Sequence, residues 1–233
     1  MLENVQSMDP QQRKVAMQHF CEVYHAPIHA LARKLGFSLE DAQDLTQDLF
    51  LKVIRGDVLQ KFERERGKFS TWLMVMFKNL TLHYRQSRST LKRGGAVEHV
   101  TLNTQYAEEA FLNLHQTSME AALMFDLMLA REIWAQARAR VFEKYAGTPY
   151  DLMVKELEPV LLLPAWPPPP AISQADFALK HAITVIQLRT FLSRNLRSQA
   201  SKQFAAEAAG SSPGITPEDI EELWQLLREH AGM

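Results

Sequence analysis

Asp41, Asp44 and Asp48 recur at three- and four-residue intervals, with Gln47 and Phe50 among them. That spacing puts the carboxylates on one side of a helix. A row of exposed carboxylates can orient a basic partner and speed its docking, with Gln47 as a polar contact and Phe50 as an apolar anchor. Further along the chain the chemistry changes to aromatic and basic: Phe62, Lys68, Phe69, Trp72, Lys78, Arg85 and Arg88. Opening a nucleic-acid duplex costs a few kcal/mol per step, and a protein without ATP must offset that by stacking and pocketing the exposed bases. Phe62, Phe69 and the residues around Gly67, with Trp72 beside them, suit such a pocket. Lys68, Lys78, Arg85 and Arg88 suit the phosphates on either side.

Other chemistry is sparse. Cys21, His25 and His29 lie four apart, a spacing that can line one helix face with metal ligands, but Pro27 interrupts the helix between the histidines and no fourth ligand stands near. No metal or other cofactor is expected. Glycine-rich phosphate loops, nucleophile–base pairs and paired acid–base carboxylates are all missing, so the sequence does not read as an enzyme. A chain of 233 residues can hold one large domain or two small ones. Its net charge of -1 says nothing about nucleic acid by itself, but the charge is unevenly spread. One basic island runs from Lys61 to Arg93 and a second, weaker one from Lys180 to Lys202, the pattern of two phosphate-facing surfaces. A lone cysteine fits a reducing compartment. The first residues lack the basic and apolar regions of a signal peptide, and Val160–Leu163 is too short to span a membrane, so a cytoplasmic protein is expected.

The elements that would position these residues are all helical. Pro10 opens a first helix with an apolar stripe from Val15 through Phe20 and Val23; Pro27 should kink or restart it, and Gly36 should end it. Ser38 with Asp41 approximates a capping box for a second helix, which puts Ala42, Leu45, Leu49 and Val53 on its core side. The segment from Asp57 to Phe69 reads as a loop, and Ser70 as the cap of an aromatic helix. Gly94 and Gly95 lie in a mixed segment taken as a linker. Helical pattern resumes at Met119 and runs to about Tyr145, with Leu123, Leu127, Ile133, Trp134 and Val141 as core candidates. Pro164 to Pro170 reads as an extended spacer. Ser173 can cap a short helix and Thr184 a longer basic one, the outline of a helix-turn-helix. Thr216, Pro217 and Asp219 start a last helix. The expected fold is all-α, with two helical domains: residues 1–93, a linker at 94–118, and residues 119–233 carrying the helix-turn-helix. In that second domain Gln187 and Arg189 are expected to read base edges and Arg194 and Arg197 to contact phosphates, with Thr184 as a further DNA-binding candidate at the head of the same helix.

The order Asp41, Ala42, Asp44, Leu45, Gln47, Asp48, Phe50, then Phe69, Trp72, Leu73, then Asn79, Leu80 resembles the second conserved region of bacterial RNA polymerase sigma factors of the extracytoplasmic-function type. The resemblance implies that the acidic helix docks on a basic coiled coil of the clamp of core RNA polymerase. It also implies that the segment from Phe62 to Lys68 captures a flipped base of promoter DNA. Thr184, Leu188, Arg189 and Arg194 match, more weakly, the helix-turn-helix of the family's fourth region. There His181, Ala182 and Ile183 stand where a turn glycine is usual, and Val185 and Ile186 where smaller or polar residues are commoner. A sigma factor that brings core RNA polymerase to promoters and assists strand opening is therefore expected, with an anti-sigma protein as a further partner. Two rival readings stay open: a sigma-like DNA-binding regulator acting without polymerase, and a degenerate sigma-like adaptor that binds other proteins.

Overall fold

The computed structural model describes residues 9–55, 57–92, 119–163, 166 and 172–231. Among the described residues every regular element is helical, as the 3.6-residue periodicity requires. The expected linker at 94–118 and nearly all of the proline spacer lie outside them. The chain divides into two compact units, Met1–Leu129 with Ser211–Ile215, and Ala130–Gly210 with Thr216–Met233.

In the first unit, α1 (Pro10–Lys34) opens with Asp9 as N-cap and Pro10 at a position where its missing N–H is harmless. The helix runs unbroken through Pro27. A proline inside a helix costs about 3 kcal/mol, and here the burial of Val23, Tyr24, Ile28 and Leu31 on both sides outweighs it. Val15, expected in the core, is 58% exposed; Ala16 and Met17 are buried in its place. Gly36, at φ 88°, ends α1 in a Schellman turn, with Gly36 N donating to Arg33 O and Phe37 N to Ala32 O.

Helix α2 (Leu39–Arg55) packs against α1 and α3 (Phe69–Lys92), burying Ala42, Leu45, Leu49 and Val53 as their spacing dictates. Ser38 Oγ accepts from Asp41 N at 3.0 Å, as the capping pattern predicts. The segment expected as loop contains two short 3₁₀ helices, Asp57–Lys61 and Arg64–Arg66, the second carrying a Glu63–Arg66 ion pair at 2.7 Å. Helix α3 begins two residues earlier than the cap reading allows, so Ser70 lies inside it and is buried. Helix α4 (Met119–Tyr145) straddles the division between the units. Phe125 and Leu129 are buried within it, whereas Leu123 is 49% exposed. Ser211–Ile215 belongs to this first unit through a buried hydrogen bond between the Tyr24 and Ser212 hydroxyls.

The second unit buries Ile133, Trp134, Ala137 and Val141 of α4 with Phe204 and Trp224, whose rings lie 4.9 Å apart. Short α5 (Asp151–Glu156) and a 3₁₀ turn, Glu158–Val160, follow. Ser173 caps α6 (Gln174–Lys180), accepting from Asp176 N at 3.1 Å. Thr184 caps α7 (Val185–Thr190) in a complete capping box with Gln187. A π-helical stretch, Phe191–Leu196, joins α7 directly to α8 (Arg197–Ser211). Thr216 and Asp219 form the capping box of α9 (Pro217–Glu229).

Between α6 and α7 the backbone repeats the α1 ending almost bond for bond. Ala182 N donates to Leu179 O and Ile183 N to Ala178 O, with Ala182 at φ 55°. This Schellman turn wants glycine, because an L side chain in the left-handed region costs roughly 1–2 kcal/mol. Ala182→Gly is accordingly expected to stabilise the chain by about 1 kcal/mol, or about 2–4 °C in melting temperature. A lower melting temperature for that variant in a thermal scan would contradict the strain.

Candidate nucleic-acid and polymerase interface

Helix α2 has two differently made faces. Its buried side is fixed by the stripe described above, which leaves Asp44, Gln47 and Asp48 outside and exposed. Asp44 and Asp48 take part in no ion pair among the described residues. They stand four apart, where like charges destabilise a helix by about 0.2–0.5 kcal/mol. Asp41 is placed differently. It is half-buried, and its carboxylate accepts a hydrogen bond from the Tyr84 hydroxyl of α3, tying the two helices together. Phe50 is 8% exposed, edge-on to Phe20 and stacked on His25 at 6.3 Å. Towards its C-terminal end α2 instead presents Leu51, at 41% exposure, and Ile54, at 37%. The sequence reading leaves these two out; the signal for them is an apolar pair lying off the Ala42–Leu45–Leu49–Val53 stripe.

The aromatic residues converge. Phe69 is 3% exposed, with ring centroids 5.2 Å from Phe62, 5.4 Å from Trp72 and 5.8 Å from Tyr24. Phe62 and Trp72 are half-buried and lie edge-on to each other at 5.8 Å. One ring therefore anchors the cluster and two keep surface to offer. Gly67, at φ 137°, turns the chain from the Arg64–Arg66 helix into α3, a conformation open to glycine and strained for other residues. Lys68, next to Phe69 in the chain, and Lys78, further along α3, are half-buried. Arg85 is exposed but engaged: its Nη2 donates to Leu35 O at 2.6 Å and its Cζ sits 4.7 Å over the Phe37 ring. Arg88 lies near the end of α3, where only the backbone is described.

In the second unit, Thr184 and Gln187 are exposed, and their side chains close the α7 capping box. Arg189 Nε donates to Gln174 Oε1 at 2.8 Å, linking α7 to α6. Arg194 is exposed. Arg197 is half-buried, and its Nη2 donates to Val160 O at 3.1 Å and to Leu163 O at 2.6 Å. On α5, Glu156 accepts from Lys180 at 2.7 Å and His181 at 2.8 Å, and these two partners hold its carboxyl below the usual range. Ile186 is 76% exposed at the start of α7, and Leu179 80% exposed on α6. The histidines of α1 stack in parallel, His25 on His29 at 6.1 Å, and no group of three His, Cys, Asp or Glu among the described residues is arranged to hold a metal ion.

Residues 20–90 match the family described as Sigma-70 region 2, a span covering most of α1, all of α2 and nearly all of α3. Over that span the chain is similar to sigma-70 region 2. Sigma-70 region 2 is a part of sigma factors, DNA-binding proteins of transcription initiation that work with RNA polymerase. No curated protein and no solved structure matches the chain. Among the described residues no helix is long and apolar enough to cross a membrane.

Proposed function

We propose that the chain is a sigma factor of the extracytoplasmic-function type that directs core RNA polymerase to promoters and helps open them. One observation carries the reading: the region-2 match runs from within α1 to near the end of α3, and the packed α2 there keeps Asp44, Gln47 and Asp48 outward, with no ion pair for the two carboxylates among the described residues. Exposed carboxylates on a rigid helix suit a basic docking surface on the polymerase clamp, with Leu51 and Ile54 as apolar contacts beside them. Asp41 would act by holding α2 against α3, and Phe50 by packing beneath the docking face. Phe62 and Trp72, with Gly67, Lys68 and Phe69, would receive bases that have left the stack. Lys78, Arg85 and Arg88 would follow the phosphates along α3.

Residues up to about Arg93 would thus serve polymerase docking and melting, and residues from about Met119 the upstream promoter element. The turn between α6 and α7 would present Thr184, Gln187 and Arg189 to base edges, and Arg194 to phosphate. The protein would act in the cytoplasm by binding alone, with no catalytic residue, and an anti-sigma protein would mask the acidic face.

Co-migration of the chain with purified core polymerase in size-exclusion chromatography tests the reading. A chain that elutes separately at micromolar concentrations would point to one of the two rivals. The adaptor reading has one observation in its favour, the exposed Leu179 and Ile186 where a DNA-reading surface is usually polar. Within the promoter-binding reading, Arg189→Ala should relax base preference at one upstream position by about 1–3 kcal/mol, while Arg194→Ala should weaken all sequences alike. Arg197 is a poorer probe of phosphate contact, because removing it also strips two backbone carbonyls of their donor. Uniform losses from both Arg189→Ala and Arg194→Ala, measured on a promoter-variant library, would displace α7 from the base edges.

A further inference from the structure

The second unit contains a cavity of about 270 Å³ that the promoter-binding reading does not use. Its polar lining is Arg197, Ser198, Ser201 and Arg228; Leu161, Leu163 and Trp224 make its apolar wall. Every polar side chain there can donate, and no carboxylate lies among them. Arg197 is clamped in place by the carbonyls of Val160 and Leu163. Arg228 and Arg197 take part in no ion pair among the described residues. Ser198 and Ser201 likewise have no side-chain hydrogen bond among the described residues.

Two guanidinium groups without a counter-ion repel each other. Burial, and then the charge of Arg228, pull the Arg197 pKa below its usual value. An anion seated between them would relieve that repulsion. We propose that this cavity binds a small phosphomonoester, its phosphate on the two arginines and two serine hydroxyls and its organic part against Leu161, Leu163 and Trp224.

Phosphate suits the donor set better than carboxylate. Four donor-bearing side chains converge, and a monoester phosphate presents three terminal acceptor oxygens, where a carboxylate presents two. The apolar wall argues for an organic ester. Leu161 is 3% exposed and Trp224 8%, so a ligand must reach inward to touch them. A terminal phosphate group can do so. A backbone phosphodiester, esterified to a sugar on each side, leaves only two terminal oxygens for the four donor side chains. The site is therefore distinct in chemistry from the phosphate contacts assigned to Arg194, and its ligand would be an effector of the factor.

Calorimetric titration of the full chain tests the proposal, with phenyl phosphate, inorganic phosphate and benzoate as probes at ionic strength held constant with chloride. Saturable one-to-one binding is expected for phenyl phosphate, weaker binding for inorganic phosphate, and none or the weakest for benzoate. Arg228→Gln, an exposed change that leaves the Arg197 clamp intact, should weaken phenyl phosphate by about tenfold or more. Ser201→Leu should block it by filling the cavity. Circular dichroism of both variants should match the wild type. Absence of saturable binding, or equal affinity in the wild type and both variants, would overturn the proposal. So would an Arg228→Gln variant that loses DNA affinity while neither protein binds phenyl phosphate, since that outcome makes the two arginines a DNA contact.

Discussion

Core RNA polymerase is expected to lose its hold on a chain carrying Asp44→Lys with Asp48→Lys, by about a hundredfold or more in affinity, while the helical fold stands. The loss follows from placing like charges against a basic docking surface, which costs several kcal/mol. The fold should survive because both residues are exposed, and changes at such sites usually alter stability by under about 0.5 kcal/mol. The i,i+4 like-charge pair is moreover kept, with lysines in place of aspartates, so the helix exchanges one mild repulsion for another. Fluorescence anisotropy of labelled chain against core polymerase, with circular dichroism as a control, measures both quantities. Unchanged affinity in a folded double variant would remove α2 from the polymerase contact.

The second large effect separates two phenylalanines that look alike in the sequence. Phe69→Ala should destabilise the first unit by about 3–5 kcal/mol, because it empties the centre of the Phe20, Tyr24, Phe62 and Trp72 cluster. Phe62→Ala removes a half-buried ring from the edge of that cluster and should leave the unit folded. Its cost should appear in promoter opening, at roughly 1–3 kcal/mol for each base no longer stacked. A pre-melted bubble template should largely restore transcription by Phe62→Ala, because the opening cost has already been met. It should not restore Phe69→Ala at temperatures where that variant is unfolded. Permanganate reactivity of unpaired thymines reads the opening, and a denaturant titration reads the stability. Wild-type opening by a folded Phe62→Ala variant would take this loop out of the melting mechanism.

These two residues also show where sequence reasoning stops. Spacing alone put Phe62 and Phe69 together in a base pocket; it could not say that Phe69 is the ring the others pack around, since that depends on Phe20 and Tyr24 from another helix. Capping, by contrast, is local. Ser38, Ser173, Thr184 and Thr216 each bond a backbone N–H three residues on, and each could be read from a few letters. Ser70 was open to the same reading and fails it, because the helix starts at Phe69 and burial draws the serine inside. Pro27 shows tertiary packing prevailing over a strong local signal.

The matched region-2 residues mix two roles that the sequence cannot separate. Ala42, Leu45, Phe50, Phe69, Leu73, Asn79 and Leu80 are buried, whereas Asp44, Gln47 and Asp48 are exposed. Much of the resemblance is thus the pattern of a core, and the smaller exposed part is what a partner would read. Leu51 and Ile54 emerge only once the opposite face of α2 is known to be filled. The cavity bounded by Leu161 and Arg228 was beyond reach for a similar reason, since its walls come from segments tens of residues apart.

Whether this chain gives core polymerase the power to start transcription is tested most directly by mapping the 5′ ends of RNA made in vitro on genomic DNA of the source organism. Core polymerase alone should yield scattered ends. Adding the wild-type chain should yield discrete, reproducible start sites that share an upstream sequence, and the Asp44→Lys with Asp48→Lys variant should not. Scattered ends in every reaction, with the wild-type chain present in excess and bound to the enzyme, would contradict the account.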